Sequence, residues 1–370
     1  MPHLQDNVAA AQAEAPRFER VVWYREPHLR RLYALSIFLL IASATTGYDG
    51  MLINTQQQMS RFASFFGDNV VDSQRLGILI NMFSVGSIIS FFITPYMADH
   101  LGRKPTIAIG CAVMILGSFL CAFTDGYAMY LGGRFVLGFG NSLAQMSSPM
   151  LLTEICHPQH RGPVTSVYNC LWNLGSVGKF ALAPVNSFFL SFSLHPPHPL
   201  FFFPFSSHHL LTHCQQVVSC VGWGTRSINN DWSWRSITLL QALPSLIQIV
   251  GIWFVPESPR FLINKNRHEE ALAILAKHHA GGNANDPTVQ FQFREIGAVI
   301  RAEKEADHAT SYLDFLRTRG NRWRLAIILS LGIISQYSGN ALFSNYINTI
   351  YEGAGINDDG KKLAVRGFLS

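Results

Sequence analysis

Between the charged patches of this chain lie stretches of about 20 residues almost free of Asp, Glu, Lys and Arg, and this constrains the fold more than any other feature. A bilayer core about 30 Å thick is crossed by about 20 helical residues, because only a backbone whose N–H and C=O groups bond one another survives in hydrocarbon. Candidate spans cover about 32–52, 76–96, 106–123 and 127–152; a fifth starts near Val164, a sixth covers about 237–255 and a seventh about 325–350. The expected fold is therefore all-α, a polytopic membrane protein with the lipid bilayer as its first partner. Composition agrees, since 48% of the 370 residues are hydrophobic and only 14% charged, against roughly 25% charged in a soluble domain.

Charge sets the orientation. Arg17, Arg20, Arg25, Arg30 and Arg31 precede the first span and hold that end in the cytoplasm, with no apolar core of signal-peptide type before them. The turns after the second, fourth and sixth spans then also face the cytoplasm. They carry His100, Arg103 and Lys104, then His157, His160 and Arg161, then eleven Lys or Arg from Arg260 to Arg324. The chain reads as a cytoplasmic arm (1–31), a six-span bundle (32–255), a cytoplasmic helical linker (256–324) and a seventh span opening a second half (325–370). In the linker, Glu269, Glu270, Ala271, Ile274 and Leu275 fall at the spacing of an amphipathic helix. A net charge of +5 gives no footprint for nucleic acid. The six cysteines form no CxxC pair, and no nucleophile-and-base arrangement, phosphate loop or metal spacing is present in the sequence, so no enzyme activity, metal or cofactor is expected.

One stretch breaks the pattern. Residues 178–216 are a low-complexity mixture of Phe, Pro, His and Ser, with prolines that end any helix. The apolar run that stops near Val177 resumes at Val217, so removing the stretch restores one continuous fifth span. Gly178-Lys179-Phe180 is compatible with the codons GGT-AAG-TTT, which hold a common intron donor sequence. The expectation is a translated intron or gene-model insert; the alternative is a genuine re-entrant or external loop, its irregular backbone sheltered in protein or water.

Asp49 lies in the otherwise apolar first span, in the sequence GYDG. A carboxylate there is costly and is by default a functional candidate that requires a partner; Arg134, at the head of the fourth span, is the natural one. The turn after the second span reads PYMADHLGRKP (95–105), with a tight turn at Gly102 and Asp99 near Arg103 and Lys104. The fourth span has Gly138 and Gly140, whose small size permits close helix approach in lipid, and a tail of Pro149, Glu154, Arg161 and Gly162. PESPRFLI (256–263) follows the sixth span.

Together these motifs resemble the sugar porters of the major facilitator superfamily. Pro95 and His100 depart from the superfamily's usual Gly and Arg in the 95–105 loop, while Asp99, Gly102 and Arg103 match. The surroundings GYDGMLI and WNLGS are similar to fungal lactose-permease-like and hexose transporters. The resemblance implies uptake of a mono- or disaccharide by alternating access, with a proton carried by the Asp49–Arg134 pair; a structural ion pair in a proton-independent facilitator is the alternative. It implies a cytoplasmic ion-pair gate of Asp99, Arg103, Glu154, Arg161, Glu257 and Arg260, which as exposed pairs would tune a balance rather than hold the fold. It further implies sugar contacts from Asn169 and Trp172 on the fifth span and from Gln336, Asn340 and Tyr346 on the seventh, where Ser335, Ala341 and Asn345 depart from the family pattern. A plasma-membrane location goes with it.

The resemblance runs from about Ala34 to Ile356. A full carrier of this kind has twelve spans in two halves with the substrate between them, so the expectation is a chain truncated after its seventh span. Two other readings stay open, an inactive product of a transporter gene and a sugar sensor that binds without translocating; a sensor generally signals through a long cytoplasmic tail, which the sequence lacks.

Overall fold

A computed structural model describes residues 21–57, 59–67, 72–174, 230–305 and 318–337, with Thr225, Leu316 and Gly353 as isolated residues. All the described elements are helical. The stretch 178–216 lies outside the described residues, as do Asn340 and Tyr346. By packing, the chain divides into two units, one within Arg31–Glu257 and one within Met1–Arg30 and Ser258–Ala354.

The first unit holds most of the apolar helices. They are α1 (Pro27–Gln57), the short α2 (Ser60–Phe66), α3 (Ser73–His100), α4 (Arg103–Ala122), α5 (Tyr127–Ile155), α6 (Arg161–Leu174), α7 (Trp232–Leu240) and α8 (Ala242–Gly251). Of these, α1, α3 and α4 have the length and apolar character to cross a bilayer. The sixth expected span is two consecutive helices, α7 and α8. Gln241 between them keeps helical angles (φ −60°, ψ −29°), and Pro244 lacks the N–H that would bond the Leu240 carbonyl.

Helix ends follow the local chemistry. The Asp72 side chain accepts from the Gln74 N–H at 3.1 Å and caps α3. The chain turns between α3 and α4 at Gly102, whose φ of +106° favours glycine.

Close packing in the bundle comes from glycines on α5. A Cβ at Gly140 would lie 2.8 Å from the Gly110 carbonyl of α4, and one at Gly117 of α4 would lie 3.2 Å from the Gly133 carbonyl. Gly110 and Gly117 therefore meet Gly140 and Gly133 in an antiparallel seam with a seven-residue repeat. Gly138 serves the other neighbour, because two residues along a helix is roughly 200° around it; a Cβ there would run into the Phe83 carbonyl of α3. The outward faces stay apolar and exposed, as at Ile88, Phe91 and Phe92 of α3 and Leu116 and Phe119 of α4.

The second unit contains α9 (Pro259–Asn264), α10 (His268–His279), α11 (Pro287–Glu305) and α12 (Arg319–Tyr337). Ser258 accepts from the Phe261 N–H at 3.2 Å, and Pro259 stands at the first helical position, so the PESPR motif is the N-terminal cap of α9. The α10 helix has Glu269 and Glu270 in its first turn and Lys277, His278 and His279 in its last, matching its dipole. It ends at Gly281 and Gly282, both at positive φ, with the Gly282 N–H returning to the Ala276 carbonyl at 2.8 Å. Phe261, Leu262, Ile263, Ala271 and Ile300 form one small core, with Ile274 packed against it, and Leu275, Ala276 and Val289 form another; between them they take up the apolar stripe read from the sequence. Ile327, Ile328, Leu331 and Ile334 of α12 are exposed, as suits a lipid-facing span.

Candidate functional site: a buried acid–arginine pair and a polar seam

Asp49 sits on α1 and Arg134 on α5, and the structure brings them together. Arg134 Nη1 lies 2.6 Å from Asp49 Oδ1, with both side chains 4% exposed. A second donor converges on the same oxygen: Gln241 Nε2, between α7 and α8, at 2.8 Å. The guanidinium also lies 5.2 Å from the centre of the Phe83 ring, a cation–π contact that desolvation strengthens. Arg134 Nε and Gln241 Oε1 are buried without a hydrogen-bond partner among the described residues.

This pair belongs to a polar seam along α1. Ser43 donates to the Tyr168 carbonyl of α6 at 2.9 Å. Thr46 Oγ1 lies 3.0 Å from Asn141 Oδ1 and 3.1 Å from Gln145 Oε1, both on α5. Tyr48 donates to the Ile237 carbonyl at 2.9 Å. Gln56 accepts from the Tyr130 hydroxyl at 2.6 Å and donates to Thr238 Oγ1 at 2.7 Å. Phe62 and Phe66 of α2 pack edge-on against Tyr130, and Phe62 also meets Trp234 in this way, which places an aromatic cluster beside the Gln56 end of the seam.

Sequence reading found the pair and missed Gln241, Gln56, Tyr130, Thr238, Asn141 and Gln145. A usable signal existed. Ser36, Ser43, Asp49 and Gln56 recur every six or seven residues along the first span, one face of a helix, and polar side chains inside lipid must find partners.

At the turn between α3 and α4 the structure assembles part of the expected ion-pair gate. Arg103 reaches Glu154 of α5 with two bonds, Nε to Oε2 at 3.2 Å and Nη2 to Oε1 at 3.3 Å. Its Nη1 donates to the Ala98 carbonyl at 3.0 Å and lies 3.4 Å from Asp99 Oδ1. Glu257 accepts from the Lys104 N–H at 3.4 Å. The expectation of uniformly exposed pairs is corrected here. Arg103 and Glu154 are largely buried while Asp99 is exposed, because the small residues of α4 and α5 draw the helices together around the guanidinium.

The remaining gate residues fall elsewhere. Arg161 is exposed at the start of α6 and forms no salt bridge among the described residues. Arg260 pairs with Glu303 of α11 at 2.6 Å, the two side chains being 44% and 58% exposed. Its fork points to the acid that packing of α9 on α11 provides.

The expected sugar contacts are less fully described. Asn169 and Trp172 lie on α6 and Gln336 on α12, with side chains outside the described set. Asn340 and Tyr346 lie outside the described residues altogether.

The profile of the sugar (and other) transporter family matches residues 35–183 and 209–369; the skipped residues, 184–208, lie within the Phe/Pro/His stretch. The high-affinity glucose transporter of Kluyveromyces lactis is 24% identical over 348 residues, covering 94% of this chain and 55% of that protein. The hexose transporter HXT13 of Saccharomyces cerevisiae is 28% identical over 343 residues, covering 91% and 54%. The chain thus spans about half the length of the curated relatives it matches. Among solved structures, the proton:xylose symporter XylE bound to 6-bromo-6-deoxy-D-glucose superimposes with a TM-score of 0.57 at 19% identity over 74% of this chain and 54% of that one. The partially occluded inward-open form of the Escherichia coli xylose transporter XylE gives 0.61 at 19% identity over 90% and 70%. With a family match over most of its length and the helical bundle of the major facilitator superfamily, the chain belongs to the sugar (and other) transporter family of multi-pass membrane proteins.

Proposed function

We propose that this chain is the first part of a carrier that takes up a mono- or disaccharide across the plasma membrane by alternating access, together with a proton held by Asp49. The observation that carries the reading is the desolvated Asp49–Arg134 pair with a Gln241 donor on the same carboxylate oxygen. Family membership and the fungal hexose transporters among the relatives support the sugar; the symporter among the structural neighbours is consistent with the proton.

The mechanism follows from charge balance. With Asp49 ionised, the pair is neutral and tolerable in a dry site. Protonation of Asp49 leaves Arg134 as an uncompensated buried cation, which is costly. The helices carrying the two groups are then driven to a second arrangement in which the guanidinium finds other partners. Sugar hydroxyls are met by Asn169, Trp172, Gln336, Asn340 and Tyr346, as the family resemblance implies. Arg103, Glu154 and Asp99 latch the cytoplasmic ends of α3, α4 and α5 in one of the two states, with Glu257 bonded to the Lys104 N–H beside them. The linker over 256–324 joins the six-span bundle to the second half, and residues 178–216 are an insert absent from the working carrier, in keeping with the interruption of the family match at 184–208.

Labelled-sugar uptake in a transporter-deficient host tests the proposal, comparing the chain as it stands with a version lacking 178–216 and joined to the second half of a matching carrier. The joined version is expected to accumulate sugar, and the chain alone to fall well below it. A joined version that binds sugar but never accumulates it overturns transport in favour of a sensor. Uptake by the chain alone at the full rate overturns the need for a second half.

A further inference from the structure

We infer that Gln241 is a positioning residue that serves both protonation states of Asp49, its side-chain amide donating to the carboxylate and accepting from the carboxylic acid. This rests on the proton-coupled reading above.

The geometry fixes which way the amide faces. Asp49 Oδ1 already accepts from Arg134 at 2.6 Å, and the Gln241 atom 2.8 Å from the same oxygen must be the donor, Nε2, since a carboxylate offers no proton to an amide oxygen. Gln241 is 3% exposed, so its other end is turned into the bundle. There Oε1 has no hydrogen-bond partner among the described residues. A buried carbonyl oxygen left unpaired costs about 1–3 kcal/mol, so a side chain chosen only to cap the carboxylate is poorly matched to this position. Once Asp49 takes a proton, that oxygen gains a use. A half-turn of the amide brings Oε1 to the new O–H, and the proton is held by Asp49 while Arg134 moves away. No bond other than the O–H of Asp49 is made or broken, and the proton comes from solvent.

The site around the swap is otherwise poor in alternatives. The titratable and charged groups near Asp49 are Arg134 and Tyr130 of α5, Cys121 of α4 and Tyr48 of α1 itself. Tyr130 is engaged by Gln56 and Tyr48 by the Ile237 carbonyl, and Arg134 carries donors only.

Infrared difference spectroscopy of the chain in lipid, low pH minus high pH, tests this directly. The C=O stretch of protonated Asp49 is identified as the band lost in Asp49→Asn. In wild type that band is expected at the position of a hydrogen-bonded acid; in Gln241→Leu and, separately, in the near-isosteric Gln241→Met it is expected to move to higher wavenumber, as for an acid without an acceptor. Thermal unfolding of both variants checks that they remain folded. An Asp49 band that stays in place in both folded variants overturns the amide swap while leaving the proton-coupled reading intact. If wild type yields no band that Asp49→Asn removes, Asp49 does not take a proton, and the functional reading fails together with the swap.

Discussion

Arg134 and Arg103 each bond an acid on another helix of the same bundle, but their surroundings differ. Arg134 meets Asp49 deep in the helix packing, with both side chains 4% exposed and a neutral amide completing the site. Arg103 meets Glu154 at a helix end, with the Ala98 carbonyl and an exposed Asp99 sharing its donors. The first site has few substitutes for a lost partner. The second has several, including the solvent. An ion pair in the packed interior is therefore sensitive to loss of either partner, whereas the same chemistry at a helix end, with other acceptors and solvent in reach, is buffered against it.

The largest effect that separates the two sites is expected from Asp49→Asn, which leaves Arg134 as a buried unpaired cation and should cost roughly 3–5 kcal/mol of stability. Unfolding in detergent measures it, and the Asp49→Asn/Arg134→Gln double variant should recover much of the loss. Equal small losses for both single variants would remove the contrast. Glu154→Gln should cost less, about 1.5–3 kcal/mol, since Arg103 retains the Ala98 carbonyl and Asp99; the same assay reads it.

Gly138→Ala probes the packing that places α5, and with it Arg134, against α3. Its Cβ meets the Phe83 carbonyl, and about 1–3 kcal/mol is expected. Gly132→Ala, where nothing lies within 4 Å of the added atom, is the neutral control. The smallest effect belongs to the exposed Arg260–Glu303 pair: Arg260→Ala should change stability by under about 1 kcal/mol, and high salt should erase the difference.

A pH effect falls on the second unit. Burial, together with the nearby Lys277, His279 and His28, pushes His278 down to about 4 from an ordinary 6.5. The folded state thus favours the neutral ring, and the resulting stability is present above pH 6.5 and is lost as pH falls from 6.5 towards 4. Hydrogen exchange in α10 should rise over that window and stay flat in His278→Gln.

Much of this architecture was legible because lipid makes strict demands. Length and freedom from charge marked the helices, and a lone acid in the first span pointed to Asp49 and then to Arg134. The turn at Gly102 could be read because a sharp reversal between two long helices favours a glycine at positive φ. What the sequence concealed was which polar residues share a face across helices. Gln241 and Gln56 look alike as single amides in apolar runs, and only packing places one against the carboxylate and the other against Tyr130 and Thr238. Arg260 shows a related limit: a motif fixes the cap of α9 through Ser258 and Pro259, while the acid its arginine meets depends on how α11 packs.

Proton coupling in the proposed carrier runs through Asp49. Sugar-induced proton entry, followed as alkalinisation of a weakly buffered medium around cells bearing the carrier with this first half, tests that directly. Wild type should alkalinise the medium when sugar is added, and Asp49→Asn should bind the same sugar with no proton entry at all. Proton entry that persists at the wild-type rate in Asp49→Asn would contradict the account.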